Sequence, residues 1–245
     1  MKGILYGIGT GPGDPELMTL KAVKMTKACE VIAVPISKID FEVPVLENGA
    51  SKKELLDECI AYQIAIQNVP EMAKKEILFL PMPMIKDKAR LKAVHDAGTR
   101  AIEELLDQGK SIAFLTLGDP TVYSTYLYVH KRILKDGYKA EIISGITSFC
   151  ASAAKLNIGL VENKDELHIV PASYGIEDAL KLSGTKVLMK AGKQMPMVKE
   201  TVRNNGQAIQ MVENCGMSAE KTYHSLEEIP DEASYYSLII VKEEK

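Results

Sequence analysis

Three short stretches of this chain combine residue types and spacings that suit ligand chemistry. The first is Gly7-Ile8-Gly9-Thr10-Gly11-Pro12-Gly13-Asp14-Pro15, set between an apolar run and a helical pattern that Asp14 can cap with Pro15 at its first position. Glycines here let the backbone approach a ligand closely. A dinucleotide fingerprint does not fit: counted from Gly7 its third glycine falls on Pro12, and counted from Gly9 it falls on Asp14. The second strand also ends in Val34-Pro35, with no acid for a ribose. A P-loop at Gly109-Lys110-Ser111 fails because Glu104 stands where its first glycine belongs.

The second stretch is Thr116-Leu117-Gly118-Asp119-Pro120-Thr121-Val122-Tyr123-Ser124-Thr125, directly after an apolar run. Gly-Asp-Pro is a common turn, but at the carboxyl end of a strand in an open α/β sheet it lies where ligands bind. The third is Ser144-Gly145-Ile146-Thr147-Ser148-Phe149, between a strand pattern and a small-residue helix, Cys150 to Leu156. Thr147 or Ser148 can cap that helix, or can offer a hydroxyl to a ligand.

The elements that must position these loops follow from periodicity. Strand-type runs at Ile4 to Ile8, Glu30 to Val34, Ile77 to Leu80, Ser111 to Leu115 and Ala140 to Ile143 alternate with helical patterns, which predicts βαβ units and a parallel sheet. The clearest helix is Ala89 to Gln108, stopped by Gly109. Residues 35 to 76 form a long connection with a helical stretch near Lys52 to Gln67, suited to an insertion or lid. After Leu160 the runs Leu167 to Pro171, Lys186 to Met189, Gln207 to Val212, Lys221 to Ser225 and Tyr235 to Val241 predict a mixed sheet. On pattern alone a domain boundary falls near residue 160.

Composition narrows the function. A net charge of −3 without a long basic block gives no electrostatic footprint for nucleic acid. Lys52-Lys53, Lys74-Lys75 and the run Lys86 to Lys92 read as solvated faces, one of which could meet a polyanionic small molecule. The four cysteines form no C-x-x-C pair and the four histidines no metal motif, so no metal site is expected. No stretch reads as a membrane span or signal peptide, and a cytoplasmic protein is expected.

Taken together and in order, the three loops resemble the tetrapyrrole (corrin and porphyrin) methylase family over essentially the whole chain. Phe114 to Tyr128, FLTLGDPTVYSTYLY, with Gly145-Ile146-Thr147-Ser148-Phe149, is similar to the branch that methylates C20 of precorrin-2, as are the strand Val31 to Pro35 and Leu80-Pro81-Met82. The resemblance implies a two-domain α/β fold: an N-terminal parallel Rossmann-like sheet, residues 1–120, and a C-terminal mixed α/β domain, residues 121–245. It further implies a homodimer that holds S-adenosyl-L-methionine in a cleft between the domains. By motif position the cofactor contacts fall on Pro12, Leu117, Gly118, Asp119, Val122, Thr147, Ser148 and Met189, with Gly216 a further one. The implied substrate is cobalt-precorrin-2, with metal-free precorrin-2, or a protein or ribosomal RNA substrate, as alternatives. Because cofactor and tetrapyrrole bring their own electrophile and nucleophile, the protein is asked mainly to align them and exclude water, with a weak base or an ordered water for the departing C20 proton. Tyr123, expected in the first turn of a helix, is the candidate. Two departures stand out: Ser144 where the family usually has proline, and no tryptophan near His95.

Overall fold

The structure, a computed structural model, describes residues 1–171 and 175–243. The chain divides into two compact units, Met1–Thr147 and Ser148–Lys245. In the first, strands β1 (Ile4–Gly9), β2 (Val31–Ile36), β3 (Val45–Asn48), β4 (Glu76–Pro81), β5 (Ile112–Thr116) and β6 (Lys139–Ile143) form one sheet in the order β3-β4-β2-β5-β1-β6. Every pairing is parallel except that of β3, which runs antiparallel along β4. A parallel sheet covered on both faces needs near-continuous apolar strands, and β5, Ile-Ala-Phe-Leu-Thr, is buried at every position.

Helices α1 (Leu20–Ala28), α2 (Lys53–Glu58) and α3 (Ile60–Asn68) accompany α4 (Lys88–Asp107) and α5 (Tyr126–Lys135) in this unit. Alternation along the strands sends Ile8, Ile32, Val34, Ala113 and Leu115 into a core shared with α1 to α3. Leu5, Val31, Ala33 and Phe114 go into another, shared with α4 and α5. Helix α4 matches its sequence pattern to within a residue at each end; Asp87 Oδ1 accepts the amides of Ala89 and Arg90 at 3.0 Å, and Gly109 at φ +82° turns the chain away.

Two expectations shift. After the first glycine-rich loop comes a short 3-10 turn, Pro15–Leu17, in which Asp14 Oδ1 accepts the Glu16 amide at 2.9 Å; the α-helix begins only at Leu20, capped by Thr19. The first unit also runs past residue 120 to Thr147, because β6 pairs with β1 from Ile4 to Ile8 and a division at 120 would strip the sheet of that strand.

In the second unit α6 (Ser148–Lys155) precedes β7 (Leu167–Pro171), α7 (Ile176–Leu180), β8 (Thr185–Met189), α8 (Met195–Asn204), β9 (Gln207–Glu213), β10 (Lys221–Tyr223) and β11 (Ser237–Glu243). The sheet order is β10-β9-β11-β8-β7, with only β7 and β8 parallel, the mixed sheet expected from the sequence. Leu188, Met211 and Ile239 pack there with α7 and α8. Among the described residues no helix is long and apolar enough to cross a membrane.

One polar contact ties the insertion to the first sheet. At the start of β4 the Lys75 ammonium donates to the carbonyls of Thr26 at 3.1 Å, Lys27 at 2.6 Å and Cys29 at 2.5 Å, which are orphan acceptors at the end of α1. A cation at a helix C-terminus also meets the negative end of its dipole. Lys75→Met is therefore expected to lower unfolding free energy by about 1.5 to 3 kcal/mol. Urea denaturation measures it, and an unchanged midpoint would mean that water serves those carbonyls equally well.

Candidate functional site

The strand order explains why the three loops meet. They follow β1, β5 and β6, and these strands lie side by side as β5-β1-β6 with their carboxyl ends at one edge. Past Gly9 the first loop stays attached to the second: the Thr10 amide and hydroxyl both donate to Thr116 O, at 2.9 and 3.1 Å. Gly11 and Gly118 then exchange a reciprocal pair of backbone hydrogen bonds, 3.2 and 2.7 Å, as an antiparallel bridge.

The third loop presses directly on both. A Cβ built on Gly9 would lie 2.5 Å from the Gly145 nitrogen and 2.8 Å from the Gly118 carbonyl oxygen, and one on Gly145 would overlap that same oxygen. No side chain fits at either place, so the glycines are required by close approach of backbone to backbone. Gly118 also takes φ +72°. Gly7, by contrast, makes room for the ring of Tyr126 rather than for another loop.

Asp119 is the clamp of this arrangement. It is 8% exposed. Its Oδ1 accepts the Thr121 amide at 2.7 Å and the Thr121 hydroxyl at 2.5 Å, while Oδ2 accepts the Gly145 amide at 2.9 Å. Both carboxylate oxygens are thus engaged within the protein, one on the second loop and one on the third. Thr19 reinforces the junction by donating to Ser144 O at 3.3 Å.

Around this knot Pro12 is buried, Leu117 and Val122 are half-buried, and Thr147 ends the third loop. The Thr147 hydroxyl oxygen is buried with no partner among the described residues, so it does not cap α6. Tyr123 is not on a helix: it precedes α5 by three residues, at φ +48°, half exposed. A tyrosine in the left-handed region is uncommon and marks local strain.

The remaining candidates belong to the second unit. Ser148 opens α6. Met189 is the last residue of β8 and pairs with Leu238, whose other neighbour is Val212; these three share the sheet face opposite Leu188, Met211 and Ile239. Gly216 follows β9 by three residues at φ +77°. Its amide donates to Glu220 Oε2 at 2.7 Å, while Glu220 Oε1 meets the Lys155 ammonium of α6 at 2.7 Å. Burial pushes the Glu220 carboxyl up, but Lys155 and the Gly216 amide outweigh it and hold it below its usual range.

Sequence reasoning missed Thr10, Thr121 and Glu220 as organisers of these loops. The first two lay inside quoted motifs, where only the fold shows which groups they bond. Glu220 carries no local signal, because its partner Lys155 is 65 positions earlier in the chain.

Asp119→Asn tests the clamp. An amide must turn its NH2 towards one of the three donors, so at least one hydrogen bond is lost and replaced by a donor facing a donor. The expected result is a loss of about 1 to 3 kcal/mol in stability together with weaker binding of S-adenosylhomocysteine. Thermal unfolding and calorimetry on the same sample decide; a normal melting temperature with weakened binding would make Asp119 a direct ligand contact instead.

Comparison with known proteins places this architecture. Over 97% of the chain, and 95% of its own length, a Methanocaldococcus jannaschii protein named Probable cobalt-precorrin-2 C(20)-methyltransferase is 36% identical. A Sinorhizobium protein named Precorrin-2 C(20)-methyltransferase is 30% identical over 98% of the chain and 95% of its own. Among solved structures, a uroporphyrin-III C-methyl transferase from Thermus thermophilus complexed with S-adenyl homocysteine superposes with a TM-score of 0.68 at 19% identity, covering 98% of each chain. With the profile of the Tetrapyrrole (Corrin/Porphyrin) Methylases matching residues 4–230, the chain belongs to the tetrapyrrole methylase family.

Proposed function

We propose that this protein transfers a methyl group from S-adenosyl-L-methionine to C20 of cobalt-precorrin-2, as a dimeric cytoplasmic enzyme with no nucleic-acid or membrane partner. The observation that carries the reading is end-to-end similarity to relatives bearing the C20 name, the more similar of the two described being named for the cobalt form. The T. thermophilus neighbour, complexed with S-adenyl homocysteine, supports the cofactor.

The residues fit such a cofactor. At the edge of the first sheet Gly9 and Gly145 keep the backbone bare of side chains, and beside it the Thr147 oxygen is buried without a partner among the described residues. Unsatisfied buried hydroxyls are uncommon in folded proteins and are explained when a ligand completes them. Pro12, Leu117, Gly118, Val122 and Thr147 of the first unit would hold it, and Ser148, Met189 and Gly216 are carried over as further contacts on the family resemblance alone. Asp119 contributes by fixing the loops.

S-adenosylmethionine supplies a sulfonium methyl, a ready electrophile for an electron-rich meso carbon. The chain's own work is to align the reactants and keep water away, which accounts for loops organised by backbone rather than by a nucleophile. Methylation of C20 ends with loss of its proton. We assign Tyr123, on the second loop, to hydrogen-bond the water that carries that proton away.

Anaerobic turnover of cobalt-precorrin-2 and metal-free precorrin-2 side by side, with mass detection of one added methyl, tests the substrate. Methylation of the metal-free compound alone would transfer the proposal to the aerobic route. Tyr123→Phe is expected to lower kcat by about 10²-fold while S-adenosylhomocysteine affinity changes little. A wild-type single-turnover rate would leave the ring with a packing role only.

A further inference from the structure

The second unit carries a surface that these roles leave unused. Strands β8 and β9 run in one direction and β11 in the other, so the ends of β8 and β9 and the start of β11 share one edge. At that edge Lys190, directly after Met189, takes φ +62°. Lysine rarely adopts this left-handed conformation. Its ammonium lies 5.6 Å from the centre of the Tyr235 ring, within cation–π range, and forms no ion pair among the described residues. Tyr235 and Tyr236 meet edge to face, with centroids 5.3 Å apart at 85°, yet stay 48% and 41% exposed.

The loop bearing these rings is held firmly. Glu213 Oε1 accepts the Ser234 amide at 2.6 Å, the Ser234 hydroxyl bonds Asn214 Oδ1 at 3.1 Å, and the Asn214 amide donates to Tyr236 O at 3.1 Å. From the other side Gly192 packs so closely that a Cβ would overlap Ala233 O and lie 3.0 Å from Ser234 O. Two exposed aromatic rings on a braced loop, beside a cation held at a backbone angle that disfavours it, are the parts of a pre-organised binding surface.

We propose that Lys190, Tyr235 and Tyr236 form a recognition surface for the tetrapyrrole substrate, the rings lying against the macrocycle and the ammonium pairing with one of its peripheral carboxylates. This deepens the functional reading above and rests on it. The chemistry is complementary on both counts. A broad conjugated ring system gains from aromatic contact, and a carboxylate at its rim gains from a cation placed at the edge of that contact.

Lys190→Glu and the double variant Tyr235→Ala/Tyr236→Ala test it, with Lys190→Arg as the conservative control. The expected result is a rise in tetrapyrrole KM of about tenfold or more for the first two and near-normal KM for arginine, with calorimetric affinity for S-adenosylhomocysteine unchanged in all three. Uroporphyrin III, an air-stable polycarboxylate, serves as the equilibrium probe by fluorescence and should weaken in parallel. Unmoved KM and uroporphyrin affinity overturn the inference. So does a variant that changes only the oligomeric state in sedimentation, which would assign the patch to contact between copies. A wild type that binds S-adenosylhomocysteine but methylates neither tetrapyrrole sinks the functional reading and this inference with it; normal turnover with unmoved KM in the variants sinks the inference alone.

Discussion

Backbone meets backbone where Gly9 and Gly145 approach each other and the Gly118 carbonyl, with no space at either for a single methyl group, and the carboxyl edge of the first sheet depends on that contact. The strand order creates the opportunity by setting β5, β1 and β6 side by side, but adjacency of strands does not by itself bring their loops together. Side chains at the two contact glycines would force the loops apart. With them absent, the Gly11–Gly118 bridge can form and the Asp119 carboxylate can reach across to the Gly145 amide. A surface made this way is largely set before any ligand arrives, which spares the ordering cost that a mobile loop would impose on binding.

The same constraint shapes the chemistry available. In the first unit the strongly perturbed titratable groups lie in the covering helices and their ends rather than in the loops. Burial pushes the Cys29 thiol up to about 12 and the Cys59 thiol up to about 11, and it raises Tyr126 well above the usual phenol range. Burial lowers His95 and His130, keeping both imidazoles neutral over a wider range. These groups pack the sheet's faces: the Tyr126 hydroxyl, for example, donates to Glu141 O at 3.0 Å beneath the loops. An edge built from amides, hydroxyls and one fully engaged carboxylate suits a reaction whose electrophile and nucleophile both arrive from outside.

How much of this could be read from the sequence varied with the range of the interaction. Strands with continuous apolar runs and the long amphipathic α4 were legible because burial of a whole face leaves a periodic imprint. Strand β3 was not: it has four residues, alternates half-buried with exposed positions, and sits at the sheet's edge inside what read as a helical insertion. The helix expected after the first loop began five residues late, since Pro15 was satisfied by a 3-10 turn before Thr19 offered a second cap. Motif positions identified which loops matter but not what each residue does in them. Asp119 is the clearest case: its place in Gly-Asp-Pro suggests a ligand contact, whereas the fold occupies both oxygens with Thr121 and Gly145.

Backbone strain marks one position in each unit that no motif records. Among the described residues five non-glycine residues have positive φ, and three of them, Asn157, Asn163 and Asn214, are of the type that tolerates it. The other two are Tyr123, immediately after Val122, and Lys190, immediately after Met189. Each such conformation costs on the order of 1 kcal/mol or more and persists only where the surroundings enforce it. Around Tyr123 the enforcement is the Asp119 clamp three to four residues earlier; around Lys190 it is the packing of Gly192 against Ala233 and Ser234. A bulky residue held against its own preference gains nothing for the fold from its backbone angle, so the direction in which its side chain is sent is what the strain secures. In each unit, then, the rigid backbone fixes the direction of one large side chain.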